Sequence, residues 1–198
     1  LLQLKFNIKL FAFLSFAFII STIVGTVSHE YGHYAVAKFL GYSSTVSYGY
    51  TNWYDKTTDQ FMDSTYLHYS KEIELKLDFP GKNEFYSIEK KQTKDEFWIT
   101  FGGPFQTMLT GTLGFLLVFF QRNKIRKANV LLFSQWIIIF LSLFWLRQFA
   151  NLITWVAGFF FKGQFSLSGD EIKLAISLGL PIGTISIITA LISFGLSI

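Results

Sequence analysis

The amino-acid sequence predicts a multi-pass α-helical membrane protein, with about four membrane helices and a small β-rich extramembrane insertion, in a single domain over residues 1–198. Three observations predict it. Hydrophobic residues make up 51% of the chain and the mean hydropathy is +0.40, more apolar than the amphipathic mixture of an ordinary soluble domain. Long stretches are almost free of charge: Leu10–Val27, Phe101–Phe120 and Leu174–Ile198 carry none, and Val130–Phe161 carries only Arg147. By contrast, residues 42–97 hold 7 Lys and 10 acidic residues, a composition suited to water. A helix of about 20 apolar residues crosses a bilayer, so each uncharged stretch is a span candidate.

The first stretch begins after Lys5 and Lys9, an arrangement that resembles a signal peptide. It lacks a convincing cleavage region and leads directly into the most informative motif of the chain, so it reads as a retained span. A continuous helix from about Asn7 to Leu40 fits the pattern, with Gly41 as its stop signal. Within the insertion, Lys71–Phe79 alternates, with Ile73, Leu75, Leu77 and Phe79 on one face of an expected strand. Pro80-Gly81-Lys82-Asn83 then reads as a turn and Glu84–Glu89 as the returning strand. Gly102-Gly103-Pro104 is expected to open the second span, because Pro is tolerated in a first helical turn. The third stretch is longer than one perpendicular crossing and is expected to tilt, bend or break near Asn151. Ser166–Glu171 looks like a helix start, and Pro181 should kink or restart the last helix.

Charge and composition exclude several functions. The formal net charge is +4, but the basic residues form no stripe interleaved with aromatics, which speaks against nucleic acid. Cys is absent, so disulfides, Cys-ligated zinc and thiol catalysis are excluded. Lys5 and Lys9 precede the first span, and Arg122, Lys124, Arg126 and Lys127 follow the second. The positive-inside rule places both groups, and with them the N-terminus, in the cytoplasm.

The chemistry centres on His29-Glu30-Tyr31-Gly32-His33. On a helix, positions i and i+4 share a face, so both imidazoles can reach one Zn²⁺, and Glu30 is placed to act as base on water. Charged groups at membrane depth are expensive, so the cluster points to function before structure. A catalytic zinc needs a third protein ligand. Of 13 acidic residues, 10 lie in the insertion, and the rest are Glu30, Asp170 and Glu171. Besides the last two, His68 or an insertion carboxylate could complete the set. Asp170, after Ser168-Gly169, is either a helix N-cap or a ligand. Followed through the spans, the His29/His33 end of the first helix, Gly102–Pro104 and Asp170 fall on one side of the membrane.

These motifs together resemble the site-2 protease family of intramembrane zinc metalloproteases. That family has an H-E-x-x-H helix, then a Gly-containing β segment, then a Gly-Pro motif opening the next core helix. A later helix carries an Asn-containing motif and a metal-binding Asp. The corresponding positions here are His29–His33, Gly41–Tyr50, Gly102-Gly103-Pro104, Asn151 in Phe149–Ile153, and Asp170. Gln106 stands near where the family often has Asn. The resemblance implies a zinc cofactor held by His29, His33 and Asp170, with Glu30 catalytic and Asn151, Gly103 and Pro104 supporting or binding substrate. The implied activity is hydrolysis of a peptide bond in or near a transmembrane segment of a membrane-protein or peptide substrate within the lipid bilayer.

Other residues have simpler roles. Arg147 is expected to snorkel or pair, His68 to lie on the surface of a strand, and Lys38 to anchor at the interface. Asn151 caps a broken helix or contacts substrate. Thr45–Tyr50 either stabilises the insertion or offers an edge strand to an unwound substrate. The alternative function is that of a catalytically silent relative that binds membrane helices as a regulator or chaperone. A metal-binding transporter component is weaker, because no second polar span pairs with the first.

Overall fold

The computed structural model describes residues 7–197. Its elements in order are α1 (Ile8–Phe39), β1 (Ser43–Ser47), β2 (Tyr50–Tyr54), α2 (Lys56–Glu74), α3 (Lys82–Lys127), α4 (Phe133–Ser142), a 3₁₀ turn (Leu143–Trp145), α5 (Leu146–Lys162), α6 (Asp170–Ser177) and α7 (Thr184–Ser197). Among the described residues, three helices are long and apolar enough to cross a membrane: α1, α3, and the run Phe133–Lys162 through the 3₁₀ turn. The fourth expected span is divided. Residues 170–177 form α6, and α7 has 14 residues, fewer than the roughly 20 a perpendicular crossing takes.

α1 has the expected boundaries for identifiable reasons. The Asn7 side chain caps it by accepting from the Lys9 and Leu10 amides at 3.2 and 3.1 Å. At the other end Gly41 takes a left-handed φ of 93°. The Tyr42 amide then donates to the Ala37 carbonyl and the Gly41 amide to Lys38, which closes the helix with a Schellman motif. The same motif ends α6 at Gly179, where the Leu180 amide donates to Ala175. Pro181 follows, and a new helix starts at Thr184, as the sequence predicts.

The insertion corrects the expectation of a β-rich unit. Its only sheet among the described residues is the antiparallel β1–β2 hairpin, registered from Ser43 opposite Tyr54 to Ser47 opposite Tyr50. Residues 71–79 form the end of α2 and a turn, and 84–89 lie inside α3. The alternating pattern is built of Lys, Glu and Leu, which are strong helix formers. The segment starts as a helix capped by Asp55, whose carboxylate accepts from the Thr58 amide and hydroxyl, kinks at Tyr69 (φ −127°, ψ 27°) and resumes as helix through Glu74. It stops where Lys76 takes a left-handed φ of 54° and the Leu77 amide donates to Glu72. His68, expected on a strand, lies exposed on α2 with its Nδ1 donating to the Ser64 carbonyl.

α3 corrects a second boundary. Gly102-Gly103-Pro104 sits twenty residues inside a 46-residue helix rather than at its start. At about 1.5 Å per residue this helix is ~69 Å long, more than twice the ~30 Å thickness of a bilayer's hydrocarbon core. Its buried face is lined by small residues, including Gly102, Gly103, Thr107, Gly111 and Gly114. Such residues let membrane helices approach backbone to backbone. The break in the third stretch is likewise at Leu143–Trp145 and not near Asn151. There Gly111 and Gly114 admit Trp145 and the Leu141–Ser142 backbone, while Trp145 Nε1 donates to Thr112 at 3.1 Å.

α1 and α3 approach each other backbone to backbone. A Cβ on Gly102 would lie 2.5 Å from the Gly32 carbonyl oxygen and 2.9 Å from Val36 Cγ2, and a Cβ on Gly32 would strike the Gly102 carbonyl. Just outside this crossing, Tyr42 donates to Asp95 at 3.0 Å and Lys91 pairs with the same carboxylate at 2.8 Å. Burial and the Asp95 charge raise the Tyr42 pKa above its ordinary value, so the phenol remains a donor. Gly32→Ala or Gly102→Ala should lower stability by about 1–3 kcal/mol or more, because backbone cannot yield as a side chain can. Gly158→Ala, whose Cβ meets nothing within 4 Å, should be neutral or stabilising. Thermal unfolding of detergent-solubilised protein, followed by circular dichroism, measures the difference.

Candidate metal centre and active site

One turn of α1 presents His29, Glu30 and His33, all buried, with ligand atoms within 4.8 Å of one another. This group could hold a metal ion. A fourth residue joins them from 141 positions away: Asp170 Oδ2 lies 2.8 Å from His29 Nε2 and 3.3 Å from His33 Nε2. Asp170 is the first residue of α6, whose N-cap is Gly169, so its carboxylate is turned to the imidazoles rather than to the helix amides. His68 and the insertion carboxylates do not line the site, and its carboxylates among the described residues are Glu30, Asp170 and Glu171.

The outer nitrogens of the histidines are fixed by α3. His33 Nδ1 is 2.7 Å from the Ile99 carbonyl. A carbonyl can only accept, so Nδ1 carries the proton and the neutral ring keeps its Nε2 lone pair for a ligand. His29 Nδ1 is 2.9 Å from the Thr107 hydroxyl, which can play the same part. Metal-binding imidazoles are characteristically oriented by such partners on their second nitrogen. Ile99, Gly103 and Thr107 are spaced i, i+4, i+8, and the middle position is bare. A Cβ on Gly103 would lie 2.6 Å from His29 Nε2 and closer still to His33 Nε2. Gly103 therefore keeps open the space that both nitrogens face. Pro104, its neighbour, is buried within α3, and it has no N–H to bond the Thr100 carbonyl one turn back.

The donor set suits zinc. Two neutral imidazoles and one carboxylate are a common catalytic ligand set, leaving a position for water or substrate. Donors about 2.0–2.2 Å from a tetrahedral ion are roughly 3.3–3.6 Å apart, near the 3.3 Å and somewhat above the 2.8 Å found here. Without a cation or proton between them, two nitrogen lone pairs would face an anionic oxygen in a largely buried place, a costly arrangement.

Glu30, beside these ligands, is held by the hairpin. The Thr51 hydroxyl lies 3.0 Å from Glu30 Oε2 and 2.9 Å from the Glu30 carbonyl, two acceptors for its one proton. Asn151 does not cap a break; its Nδ2 donates to Glu171 Oε1 at 3.0 Å, and Glu171 is 5% exposed. Glu171 is therefore an anchor that ties α5 to α6 beside Asp170. Gln106 braces α1 to α3 through Ser28 and also donates to Thr110 at 3.0 Å. Thr51, Thr107 and Ile99 were not readable as site residues from the motifs. The i, i+4, i+8 spacing through Gly103 is the signal for two of them, whereas Thr51 arrives through a hairpin contact with no local signature.

His29, Glu30, His33, Thr51, Asp170 and Glu171 line a cleft of about 870 Å³, whose other walls include the α5 residues Arg147, Asn151 and Trp155. The volume lies in the range of ligand-binding clefts in general. Compared with known protein families, curated proteins and solved structures, the chain matches none.

Two outcomes follow from the packing. Gly103→Ala should abolish stoichiometric metal binding with the helical content retained, as read by atomic absorption and circular dichroism. Asn151→Leu leaves a buried carboxylate without its donor and should cost about 1–3 kcal/mol in unfolding experiments.

Proposed function

We propose that the protein is a zinc-dependent intramembrane endopeptidase, which hydrolyses a peptide bond in or near a transmembrane segment of a membrane protein. The observation that carries this reading is the meeting of His29 Nε2, His33 Nε2 and Asp170 Oδ2 inside a cleft that also holds Glu30. The resemblance of the motifs to the site-2 protease family supports it, as do three helices of membrane-spanning length and composition.

His29, His33 and Asp170 would hold zinc, which supplies Lewis acidity to polarise the scissile carbonyl and to acidify water. Glu30 accepts the proton of the attacking water and passes it to the leaving amine. Thr51 holds one oxygen of that carboxylate, which fixes its direction. Burial of Glu30 at 6% exposure keeps bulk water from competing for it. On this reading the Lys9 end of α1 is cytoplasmic: it shares one side with the Arg122–Lys127 cluster, and three crossings carry α6 to the side that bears the His29/His33 end of α1. The chain has no Cys, so single-cysteine reporters at either end can test the orientation by membrane-impermeant labelling.

Glu30→Gln should keep zinc and lose cleavage of single-span membrane peptides by at least about 100-fold, because an amide cannot accept the proton. His29→Ala and His33→Ala should lose zinc, and Asp170→Asn should weaken both zinc binding and cleavage. Peptide products are followed by mass spectrometry and zinc by atomic absorption. Full zinc retention in both histidine variants would end the metalloprotease reading.

A further inference from the structure

Arg147 is the one charge in Val130–Phe161, and it stands close to the middle of the Phe133–Lys162 run. Fourteen residues precede it in that run and fifteen follow, so at about 1.5 Å per residue it is roughly 21 Å from either end. Snorkelling to a surface suits cations near the ends of a span, not at its centre. An arginine stays charged in any protein setting and offers five N–H donors in a planar fork. In this structure its hydrogen-bonding contact is a long one, 3.5 Å from Nη1 to the Thr26 hydroxyl. No carboxylate of the described residues comes within 4.0 Å of it, although three carboxylates share its cleft. Each of those three is engaged elsewhere: Glu30 by Thr51, Asp170 by the histidines, Glu171 by Asn151.

The half-buried guanidinium thus lines the cleft with no counter-charge of its own. It also borders an adjoining apolar cavity of about 490 Å³, walled by residues such as Phe18, Phe144 and Phe149. Asn151, one turn along the same face of α5, lines both spaces too. A cation at membrane depth, fronting a cleft large enough for a peptide, is matched by a carboxylate, which arginine binds through two parallel N–H bonds.

We propose that Arg147 forms a carboxylate-binding subsite of the cleft, which takes either an acidic side chain or the free C-terminus of a peptide. The proposal rests on the endopeptidase reading for the identity of the bound peptide, though not for the existence of the subsite.

The test uses the full-length Glu30→Gln protein in detergent, loaded with zinc, and four matched N-acetylated apolar peptides. One has an internal Glu, one has Gln in its place, and both of these are C-terminally amidated. The Gln peptide with a free C-terminus and a peptide with both carboxylates complete the set. Binding is read by tryptophan fluorescence, since Trp53 and Trp155 line the cleft. At least one carboxylate peptide should bind about tenfold more tightly than the neutral one, and the position of the effective carboxylate identifies its source. Arg147→Gln should erase that preference and Arg147→Lys should keep part of it, with unchanged zinc content reporting an intact fold. Equal binding of all four peptides, binding of none, or a preference that survives Arg147→Gln would each overturn the subsite. The two readings fail separately. A carboxylate preference without cleavage once Glu30 is restored retires the peptidase and keeps the subsite, while cleavage with no carboxylate preference does the reverse.

Discussion

The backbone contact between Gly32 and Gly102 is the constraint on which the site depends. A Cβ at either position would overlap the carbonyl oxygen facing it, so α1 and α3 would have to move apart. The His33–Ile99 and His29–Thr107 contacts span the same crossing at 2.7 and 2.9 Å, so they would be lost with the first such displacement. The order of construction is therefore sterics first and chemistry second. Small residues set the interhelical distance, that distance brings a carbonyl and a hydroxyl to the imidazoles, and those partners fix which nitrogen of each ring faces the cleft.

The rest of the site is assembled from less regular parts. β1 and β2 are short, yet their hairpin brings Thr51 to Glu30. Gly163 and Gly169, with φ of 70° and 109°, bracket the connection that turns the chain from α5 into α6 and delivers Asp170. Within this connection, stacking of Phe165 on Trp155 and Phe159 at 4.3 and 4.4 Å gives the loop an apolar anchor on α5. The Asn151–Glu171 bond fastens the start of α6 to the same helix. Asp170 is thus held from both sides, by a stacked loop before it and a buried hydrogen bond just after it.

Much of this was legible in the sequence where the signal was local and strong. The H-E-x-x-H spacing, the uncharged stretches and Gly41 each report on a single element, and α1 has the expected ends. The failures occurred where a local pattern was ambiguous. Lys71–Phe79 alternates like a strand, but its residues favour the helical turns that resume after a kink at Tyr69, and the left-handed Lys76 ends them. Pro104 reads as a helix start because proline is welcome there, yet α3 runs through it, supported on both sides by packing that no window of sequence contains. The break at Leu143–Trp145 was misplaced for the same reason: it follows from glycines on another helix. Asp170 was legible as a candidate and ambiguous in role, since the same residue type caps helices and binds metals.

The 141-residue separation between His29 and Asp170 has a consequence for the life of the chain. Closing a loop of that length costs roughly 4 kcal/mol of chain entropy beyond a constant, and the two side chains meet only after every intervening element is in place. During synthesis, the helix with His29, Glu30 and His33 is complete while the carboxylate that completes the set has yet to be made. A chain truncated before α6, or one whose later helices are misassembled, carries the recognisable motif without the assembled centre. Assembly of the His29–His33–Asp170 cluster is in this way conditional on the finished topology, and an immature copy carries the motif alone.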